Sequence, residues 1–455
     1  MFKRSKGLMM AGLLGLAVAA QAAARPTEAC MAHSAASLDA LVRGDYAGAR
    51  KDFSPTDAQA LDAARLEQVW GQLQAKAGAY QKHAVPQRQT ADGHSRVVTR
   101  VTFANAPLNF VVACDAQDRI TTFLFQPATT GGAASGKSRL SPVKAYVEAN
   151  GVRIQPLAVS SPPGPLQGVL TLPAGKGPFP AVVLVAGSGP EDRDETIGPN
   201  KPLRDIADGL AAAGIASLRY DKRTLTYGRE MAGKPITVDD EVTDDALTAL
   251  HLLHQQKQVD PRRVFVLGHS LGAYMAPRIG KRDPQLAGVI MLAAPVALDF
   301  DLIVRQMRYI ARVQHLPTAT LDKLVAPVIE ARDALAHADP AHPPAGLFFH
   351  APASYWLDLR DYHAVAAAQS LTEPMLILQG SGDYQVLSKD NFAVWKKTFA
   401  GNPRVKLIEY PGLSHLFMPA GNPPSPADYG VAGHVDAKVL HDIAAWIKAG
   451  QELGR

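Results

Sequence analysis

Apolar and polar positions follow two different periods in the first 130 residues. Apolar residues recur at helical spacing in residues 37–42 and 58–77, which predicts two helices. Three runs rich in β-branched and aromatic residues follow, at 96–103, 108–114 and 120–125. Because short turns separate these runs, they favour an antiparallel meander. Residues 30–127 are therefore predicted to form a small α+β domain.

Strands and helices alternate in the second part of the chain, after a Gly-, Ser- and Ala-containing stretch at 128–142 that is typical of a linker. A hairpin is predicted at 143–156. Buried strands are predicted at 181–185, 215–220, 264–267, 288–292, 375–378 and 405–409, with helices at 202–213, 239–254, directly after Ser270 and at 435–448. This alternation indicates a mostly parallel sheet with helices on both faces, which binds ligands where the parallel strands end.

Residues 298–370 interrupt the alternation within this second domain, which is predicted to span 143–455. The interrupting segment is rich in Leu, Met, Tyr and His. We interpret it as a helical cap over the strand ends. Tyr355 and Trp356 in this cap, with Gly189 near the first buried strand, are candidates for a substrate pocket. Packing within the cap is the alternative role for the two aromatic residues.

The first 24 residues have the pattern of a secretory signal peptide. Lys3, Arg4 and Lys6 precede an apolar stretch at 7–20, and small residues follow with A-x-A character. An uncleaved anchor is the alternative, but the stretch is shorter than a spanning helix requires. We expect cleavage and export to the periplasm or the medium, with no stable membrane insertion afterwards.

Composition excludes some classes of protein. The chain has 455 residues, 47% of them hydrophobic and 20% charged, as expected of a globular protein. The formal net charge is +5, and it falls to about +2 once the three basic residues of the signal are removed. Nucleic acid is therefore not an expected partner, and the composition predicts no oligomeric state.

The chain contains two cysteines, Cys30 and Cys114. In an oxidising compartment a disulfide between them is expected. Two buried free thiols are the alternative.

A serine lies between two glycines where the apolar run at 264–267 ends, in the motif Gly268-His269-Ser270-Leu271-Gly272. A strand that reverses sharply into a helix strains its apex residue, and neighbours that lack Cβ relieve the clashes. The hydroxyl is then exposed at the start of the helix. Ser270 is therefore predicted to be a nucleophile, and a purely structural turn is the alternative.

A serine nucleophile requires a base and an acid that orients the base. Asp383 follows the predicted strand at 375–378, and His415 follows the strand at 405–409, so both belong to the edge where Ser270 emerges. The alternatives for the acid are Asp299 and Asp301, and those for the base are His434 and His441. We favour Asp383 and His415 because the alternatives lie where helices begin or continue.

Acyl transfer also requires two hydrogen-bond donors for the oxyanion. The backbone N–H of Leu271 is one candidate. The other is the N–H of Ser188, which follows the first buried strand in Gly187-Ser188-Gly189. A phosphate-binding loop is disfavoured here because a third glycine is missing and Pro190 has no N–H.

Several other polar residues are interpreted as structural. An Arg beside carboxylates usually forms a local ion pair, which is the interpretation for Asp192, Arg193 and Asp194, and Asp221 and Arg223 are treated in the same way. His269 is expected to support the nucleophile rather than act as a second base. His251 and His254 share a helix face without further ligands, so no metal site and no cofactor are predicted.

The motifs at 187–194, 218–223, 268–272, 378–386 and 413–417 closely resemble those of the α/β-hydrolase superfamily. More narrowly, the chain resembles bacterial serine esterases that carry a small amino-terminal domain of the DUF3887 type. The resemblance covers nearly the whole chain after the signal. One position departs from it, since Ala186 stands where many relatives have histidine.

This resemblance implies an α/β-hydrolase fold with a helical cap, preceded by the small α+β domain. It also implies a serine carboxylesterase that hydrolyses small-molecule esters of short acyl chains, with Ser270, Asp383 and His415 as the triad. The residues leave open a peptidase, thioesterase or lactonase on the same fold. A non-catalytic binding protein is the alternative from another class.

Overall fold

The computed structural model describes residues 27–91, 94–105, 107–127, 143–349 and 351–449. The predicted signal peptide and the predicted linker at 128–142 lie outside these ranges. The chain divides into two compact units, Met1–Ser135 and Gly136–Arg455, which we call the amino-terminal and carboxy-terminal units.

The amino-terminal unit combines helices with an antiparallel sheet. Its helices are α1 (Glu28–Val42), α2 (Tyr46–Ala49), α3 (Pro55–Ala60) and α4 (Ala63–Ala77), and its strands are β1 (Tyr80–His83), β2 (Gln87–Ala91), β3 (His94–Phe103), β4 (Pro107–Cys114) and β5 (Ile120–Pro127). Strand β3 pairs with β1, β2 and β4, and β4 pairs with β5. The first two strands had no counterpart in the sequence analysis because their polar sequences YQKH and QRQTA show no apolar alternation.

A disulfide joins α1 to the end of β4 in this unit. The sulfur atoms of Cys30 and Cys114 are 2.03 Å apart, and the two residues are separated by 84 positions in the chain. Cys30 is buried in the same core as Leu38, Trp70 and Phe110. The bridge therefore connects the first helix to the sheet on which it packs.

The carboxy-terminal unit is built on a nine-stranded sheet with the order β16-β15-β12-β11-β9-β10-β8-β7-β6. The strands are β6 (Tyr146–Val147), β7 (Arg153–Pro156), β8 (Gly168–Leu172), β9 (Phe179–Val185), β10 (Ala216–Tyr220), β11 (Val259–His269), β12 (Gly288–Leu292), β15 (Met375–Gly380) and β16 (Val405–Tyr410), and a separate hairpin contains β13 (Leu347–Phe348) and β14 (Ala351–Pro352). The pairs from β16 to β10 are parallel, and those from β10 to β6 are antiparallel.

Helices cover both faces of this sheet. They are α5 (Pro202–Ala212), α6 (Arg223–Met231), α7 (Asp244–His254), α8 (Leu271–Arg282), α9 (Phe300–Val313), α10 (Thr318–Leu335), α11 (Ala353–Asp361), α12 (Ala364–Gln369), α13 (Phe392–Thr398) and α14 (Ala437–Ala449). Successive residues of β9 belong to opposite cores, with Val183 and Val185 in one and Val182 and Leu184 in the other. This is the period-two pattern of a strand buried on both faces. The predicted α/β-hydrolase fold class is confirmed.

Outside residues 298–370, the sequence analysis missed β8, α6 and α13 of this unit. Strand β8 has only five residues, GVLTL. Helix α6, RTLTYGREM, is largely polar and contains a non-helical residue at Tyr227, and α13, FAVWKKT, has only seven residues. In the described part of the chain, none of the helices combines the length and the apolar character that crossing a bilayer requires.

The segment predicted to be a cap contains helices α9 to α12 and the hairpin β13–β14, all inserted between β12 and β15. Helix α9 lies against the loop that follows β15. The Tyr309 ring of α9 stacks on Tyr384 at 5.7 Å between ring centroids, and Gln306 donates a hydrogen bond to the Gln385 carbonyl. The insertion therefore contacts the loop that carries Asp383.

Replacing Cys30 and Cys114 together with alanine should lower the free energy of unfolding of the amino-terminal unit by about 2–5 kcal/mol, because the unfolded chain loses a cross-link over a long loop. Hydrogen exchange measured on peptides from both units would test this. Peptides of the amino-terminal unit should exchange faster, and those of the carboxy-terminal unit are the internal control. Unchanged exchange in both units would contradict the prediction.

Candidate active site

Parallel pairing brings the ends of six strands to one edge of the sheet. The last residues of β11 and β12, His269 and Leu292, are register partners, and Leu292 is in turn the partner of Leu378 in β15. Gly380 in β15 faces Tyr410 in β16. The segments that follow these strands, and the one that follows β9, therefore start side by side.

Ser270 occupies a sharp turn between β11 and α8. Its φ is 53° and its ψ is −113°, a conformation that costs a non-glycine residue about 1–3 kcal/mol. The flanking glycines are required for a different reason. A Cβ on Gly268 would lie 2.1 Å from the Gly272 carbonyl oxygen, and one on Gly272 would lie 2.3 Å from the Val185 carbonyl oxygen. Ser270 does not use its hydroxyl to cap α8, so the hydroxyl remains available for chemistry.

His415 and Asp383 form a buried hydrogen-bonded pair. The distance from His415 Nδ1 to Asp383 Oδ2 is 2.7 Å, and both residues are less than 5% exposed. Asp383 also accepts bonds from the backbone N–H groups of Gln385 and Val386 and from the Gln379 side chain. These donors hold the carboxylate in one orientation, with one oxygen directed at the imidazole.

The rival acids and bases lie elsewhere. Asp299 accepts a hydrogen bond from the Leu302 N–H at the start of α9, and Asp301 pairs with Arg332. His434 is exposed and pairs with Asp205, and His441 is exposed on α14. Asp383 is the one of the three aspartates that contacts a candidate base.

The Ser270 hydroxyl and His415 Nε2 make no hydrogen bond within the described residues. His415 Nε2 is therefore free to accept the serine proton once a substrate is bound, and such bonds are often long in the absence of substrate. The ring of His415 lies 4.7 Å from that of His269, the residue directly before Ser270. The base is thus placed beside the nucleophile turn.

The turn after β9 lies against the nucleophile. A Cβ on Gly187 would lie 3.2 Å from the Ser270 Cβ. The Gly187 N–H donates to Glu195 Oε1 at 2.6 Å and is therefore occupied. Ser188 is exposed, and the Leu271 N–H belongs to the first turn of α8, where backbone donors have no intrahelical partner. These two N–H groups remain candidates for the oxyanion hole.

Glu195 and His269 form a second buried histidine–carboxylate pair that the sequence analysis did not identify. His269 Nδ1 lies 2.9 Å from Glu195 Oε1, and His269 Nε2 lies 2.9 Å from the His415 carbonyl oxygen. Burial alone would lower the pKa of His269, but the Glu195 carboxylate and the His415 carbonyl outweigh it and raise that pKa. Because both ring nitrogens face acceptors, the imidazolium form satisfies both contacts.

This pair also holds the turn that follows Ala186, the position at which the sequence departs from the resemblance. Ala186 is buried, and its side chain has no polar group. Glu195 accepts a hydrogen bond from the N–H of the next residue, Gly187. Glu195 has a left-handed φ of 53°, and its Oε2 is buried without a hydrogen-bond partner in the described residues. A strained residue with an unsatisfied oxygen persists only where the surrounding structure holds it.

Ion pairs between loops hold the segment around Glu195. Arg193 binds Asp221 through both Nε and Nη2, and Asp194 binds Arg219. Arg193 and Asp194 therefore form ion pairs that hold a loop, as expected, but the expectation that their partners are local is wrong, because Asp221 and Arg219 lie at the end of β10. A sequence shows that charges are present, but it does not show which charges meet.

The two aromatic pocket candidates are buried within the insertion. The pKa of Tyr355 is raised by burial and by the nearby Glu241 carboxylate. Trp356 donates to the Phe348 carbonyl and, together with Phe300, lines a cavity of about 120 Å³. This cavity is not lined by Ser270, Asp383 or His415. A role for Tyr355 and Trp356 in an acyl pocket stays a prediction, and so does one for Gly189.

No group of three or more His, Cys, Asp or Glu side chains could hold a metal ion within the ranges that the structure covers. His254 instead bonds the Pro261 carbonyl and lies near Asp283. His251 bonds Gln255. These contacts give both histidines structural partners.

Glu191 is a half-buried carboxyl beside the turn, and its Oε1 lies 3.5 Å from the position that a Cβ on Gly189 would take. Burial and the neighbouring Glu195 carboxylate raise its pKa to about 7. The folded protein therefore keeps a proton here between pH 4.5, the ordinary pKa of the group, and about 7, whereas the unfolded chain does not. The stability that this group contributes falls as pH rises through that window.

Glu191→Gln should therefore leave the urea midpoint of unfolding nearly unchanged at pH 4 and raise it at pH 8, because glutamine has no proton to lose. Urea titrations at several pH values would test this. Glu230→Gln, which removes an exposed glutamate of α6, is the control for loss of a surface charge. A gain that is equal at every pH would contradict the assignment.

Comparison with known proteins identifies relatives that match part or most of the chain. Residues 201–419 match the family model described as "Serine aminopeptidase, S33". Esterase EstD of Thermotoga maritima is 34% identical over 387 residues, which cover 85% of this chain and 88% of EstD. Thiohydrolase apmlB of Arthrinium phaeospermum is 29% identical over 150 residues, 32% of this chain and 44% of that protein.

Solved structures also match at lower identity. The esterase domain of a Rhodothermus marinus protein is 16% identical, with a TM-score of 0.40, and the match covers 65% of this chain and 98% of that domain. The match to EstD has the higher sequence identity, 34% against 16%. The chain therefore belongs to the α/β-hydrolase superfamily, in the family of serine hydrolases that includes esterase EstD.

Proposed function

We propose that the protein is a serine esterase that hydrolyses small esters of short-chain acids, with Ser270 as nucleophile, His415 as base and Asp383 as the orienting acid. The 2.7 Å contact between His415 and Asp383 carries the proposal, because it lies at the edge of the sheet where the strained Ser270 turn emerges. Identity of 34% to an esterase over most of the chain supports the same reaction class.

The reaction follows from the roles of these groups. Ser270 Oγ attacks the ester carbonyl carbon, and His415 Nε2 takes the hydroxyl proton while the carbonyl oxygen becomes an oxyanion. The C–O bond to the alcohol then breaks, and His415 returns the proton to the leaving oxygen. Water attacks the acyl-enzyme with the same base, and the acid is released as Ser270 regains its proton. Asp383 holds the imidazole with Nε2 directed at the reacting atoms.

The oxyanion is expected to be bound by the N–H groups of Leu271 and Ser188. Donors fixed before the reaction stabilise the developing charge without reorganisation, and loss of one such donor typically costs about 100- to 1,000-fold in kcat. The occupied N–H of Gly187 favours Ser188 as the donor from this turn.

A second candidate reaction is amide hydrolysis, which the description of the matching family favours. Graded acyl esters, a thioester, a lactone and aminoacyl amides assayed side by side would separate these substrate classes. Clear turnover of amides with slow turnover of esters would assign the protein as a peptidase instead.

We also propose that the protein is exported and that its amino-terminal unit is of the DUF3887 type. The basic and apolar pattern of residues 1–24 and the Cys30–Cys114 disulfide support export, because such bridges persist in oxidising compartments. Mass spectrometry of the protein from fractionated cells would test it. A cytoplasmic protein that retains residue 1 would contradict it.

Ser270→Ala should lower kcat for p-nitrophenyl acetate and butyrate by at least about a thousandfold, because no other group replaces the nucleophile. Asp383→Asn and His415→Asn should also lower kcat severely. Their matched controls are Asp301→Asn and His441→Asn, which change the rival residues and should keep most of the activity.

Labelling by a fluorophosphonate probe is the second readout. The wild-type protein should react, and the Ser270→Ala variant should not. A folded wild-type protein that neither labels nor turns over any ester would favour a non-catalytic binding protein. Equal rates for the wild type and Ser270→Ala would contradict the assignment of the nucleophile.

A further inference from the structure

A buried lysine contacts the turn that carries the candidate oxyanion donor. Lys222 Nζ donates to the Gly187 carbonyl oxygen at 2.8 Å and to Glu241 Oε1 at 2.6 Å. Lys222 is 4% exposed, and Glu241 is 7% exposed. Burial disfavours an unpaired ammonium, so the Glu241 carboxylate stabilises the lysine in this position.

The position of Lys222 follows from the sheet. It comes two residues after the end of β10, which pairs with β9 in parallel, so it lies at the edge from which the Gly187 turn emerges. The Lys222 N–H also donates to the Glu191 carbonyl on the far side of the turn. Both the backbone and the side chain of Lys222 therefore hold this turn.

The Gly187 carbonyl and the Ser188 N–H belong to one peptide unit. In a planar trans peptide these two groups point in opposite directions. Fixing the carbonyl oxygen on Lys222 therefore fixes the direction of the Ser188 N–H, which points away from the lysine. A cation on the carbonyl also polarises the amide and strengthens its N–H as a donor.

The other end of Gly187 is held as well. Its N–H donates to Glu195 Oε1 at 2.6 Å, and Glu195 is bound to His269 beside the nucleophile. Gly187, the residue before Ser188, is thus bound at its N–H by the Glu195 carboxylate and at its carbonyl by the Lys222 ammonium. The rotation of the Gly187–Ser188 peptide is restricted before any substrate arrives.

A neighbouring ion pair shows that burial by itself does not explain this contact. Arg223 and Asp245 form an equally buried pair through two hydrogen bonds of 3.0 and 2.7 Å. Within the described ranges Arg223 contacts Asp245 and the nearby Asp240, and it does not contact the turn. Lys222 differs because it directs one of its donors at the oxyanion turn.

We propose that Lys222 is a positioning residue for the oxyanion hole. Its ammonium orients and polarises the Gly187–Ser188 peptide so that the Ser188 N–H meets the oxygen on which charge develops. Lys222 acts through this peptide and does not touch the substrate. The inference rests on the proposed function, in which Ser188 is an oxyanion donor.

Lys222→Met tests the proposal, because it removes the donor and keeps most of the side-chain length. We expect kcat for p-nitrophenyl butyrate to fall between about tenfold and about a hundredfold, because small displacements of catalytic groups have costs of this size. KM should change by less than about threefold, because the ester carbonyl in the ground state carries little charge.

A trifluoromethyl ketone that forms a tetrahedral adduct with Ser270 distinguishes positioning from a general structural role. Its affinity should fall by about the same factor as kcat/KM, because the adduct carries the oxyanion. The affinity of a non-reacting alcohol analogue of the substrate should stay unchanged. Equal losses for both ligands would overturn the proposal, because they would indicate a distorted pocket.

Two double variants complete the test. Lys222→Met/Glu241→Gln removes both charges, so it avoids a buried unpaired carboxylate and remains informative if the single variant does not fold. The loss of kcat should persist in it, and recovery to the wild-type kcat would overturn the proposal. Arg223→Met/Asp245→Asn removes the neighbouring pair and should lower stability without lowering kcat.

The outcome separates the two proposals. If Ser270→Ala is inactive and Lys222→Met/Glu241→Gln has the wild-type kcat, the esterase assignment stands and the role of Lys222 is wrong. If Ser270→Ala retains wild-type activity, the proposed function itself is wrong. A loss of kcat in the double variant that is matched by weaker ketone binding supports both.

Discussion

The parallel register of the central sheet is the constraint on which the rest of the site depends. Parallel strands end at the same edge, so the segments that follow β9, β11, β15 and β16 begin within reach of one another. The nucleophile, the base, the acid and the oxyanion turn are each supplied by a different strand end. A shift of one residue in the pairing of any of these strands would turn the side chains of that strand to the opposite face of the sheet.

A second layer of buried charge lies behind the triad and restricts the loops at this edge. Glu195 with His269 and Lys222 with Glu241 bind Gly187 at its N–H and at its carbonyl. Buried ion pairs are weak stabilisers overall, because desolvation offsets most of their attraction. They are, however, strongly directional. At Gly187 this directionality holds the backbone in one orientation.

Strain accompanies this arrangement. Ser270 and Glu195 both have left-handed φ values of 53°, and both lie in segments held by several hydrogen bonds. The glycines around Ser270 serve close packing of backbone atoms, whereas the serine itself takes the unfavourable conformation. Such strain exposes the nucleophile and is supported by the sheet on one side and by α8 on the other.

The amino-acid sequence was sufficient to predict the fold class and the candidate triad. Strand and helix periods are local properties, and the residues after each strand end could be read in order, so Ser270, Asp383 and His415 were identified together. It did not reveal short or polar elements such as β1, β2, β8, α6 and α13.

Which charges meet became apparent only from the three-dimensional structure. Arg193 pairs with Asp221, Glu195 with His269 and Lys222 with Glu241, and the partners in these pairs lie from 19 to 74 positions apart. No local rule relates residues at such separations, because their contact depends on strand register and loop path. The roles of Glu195 and Lys222 therefore became visible only when the loops were placed at the edge of the sheet.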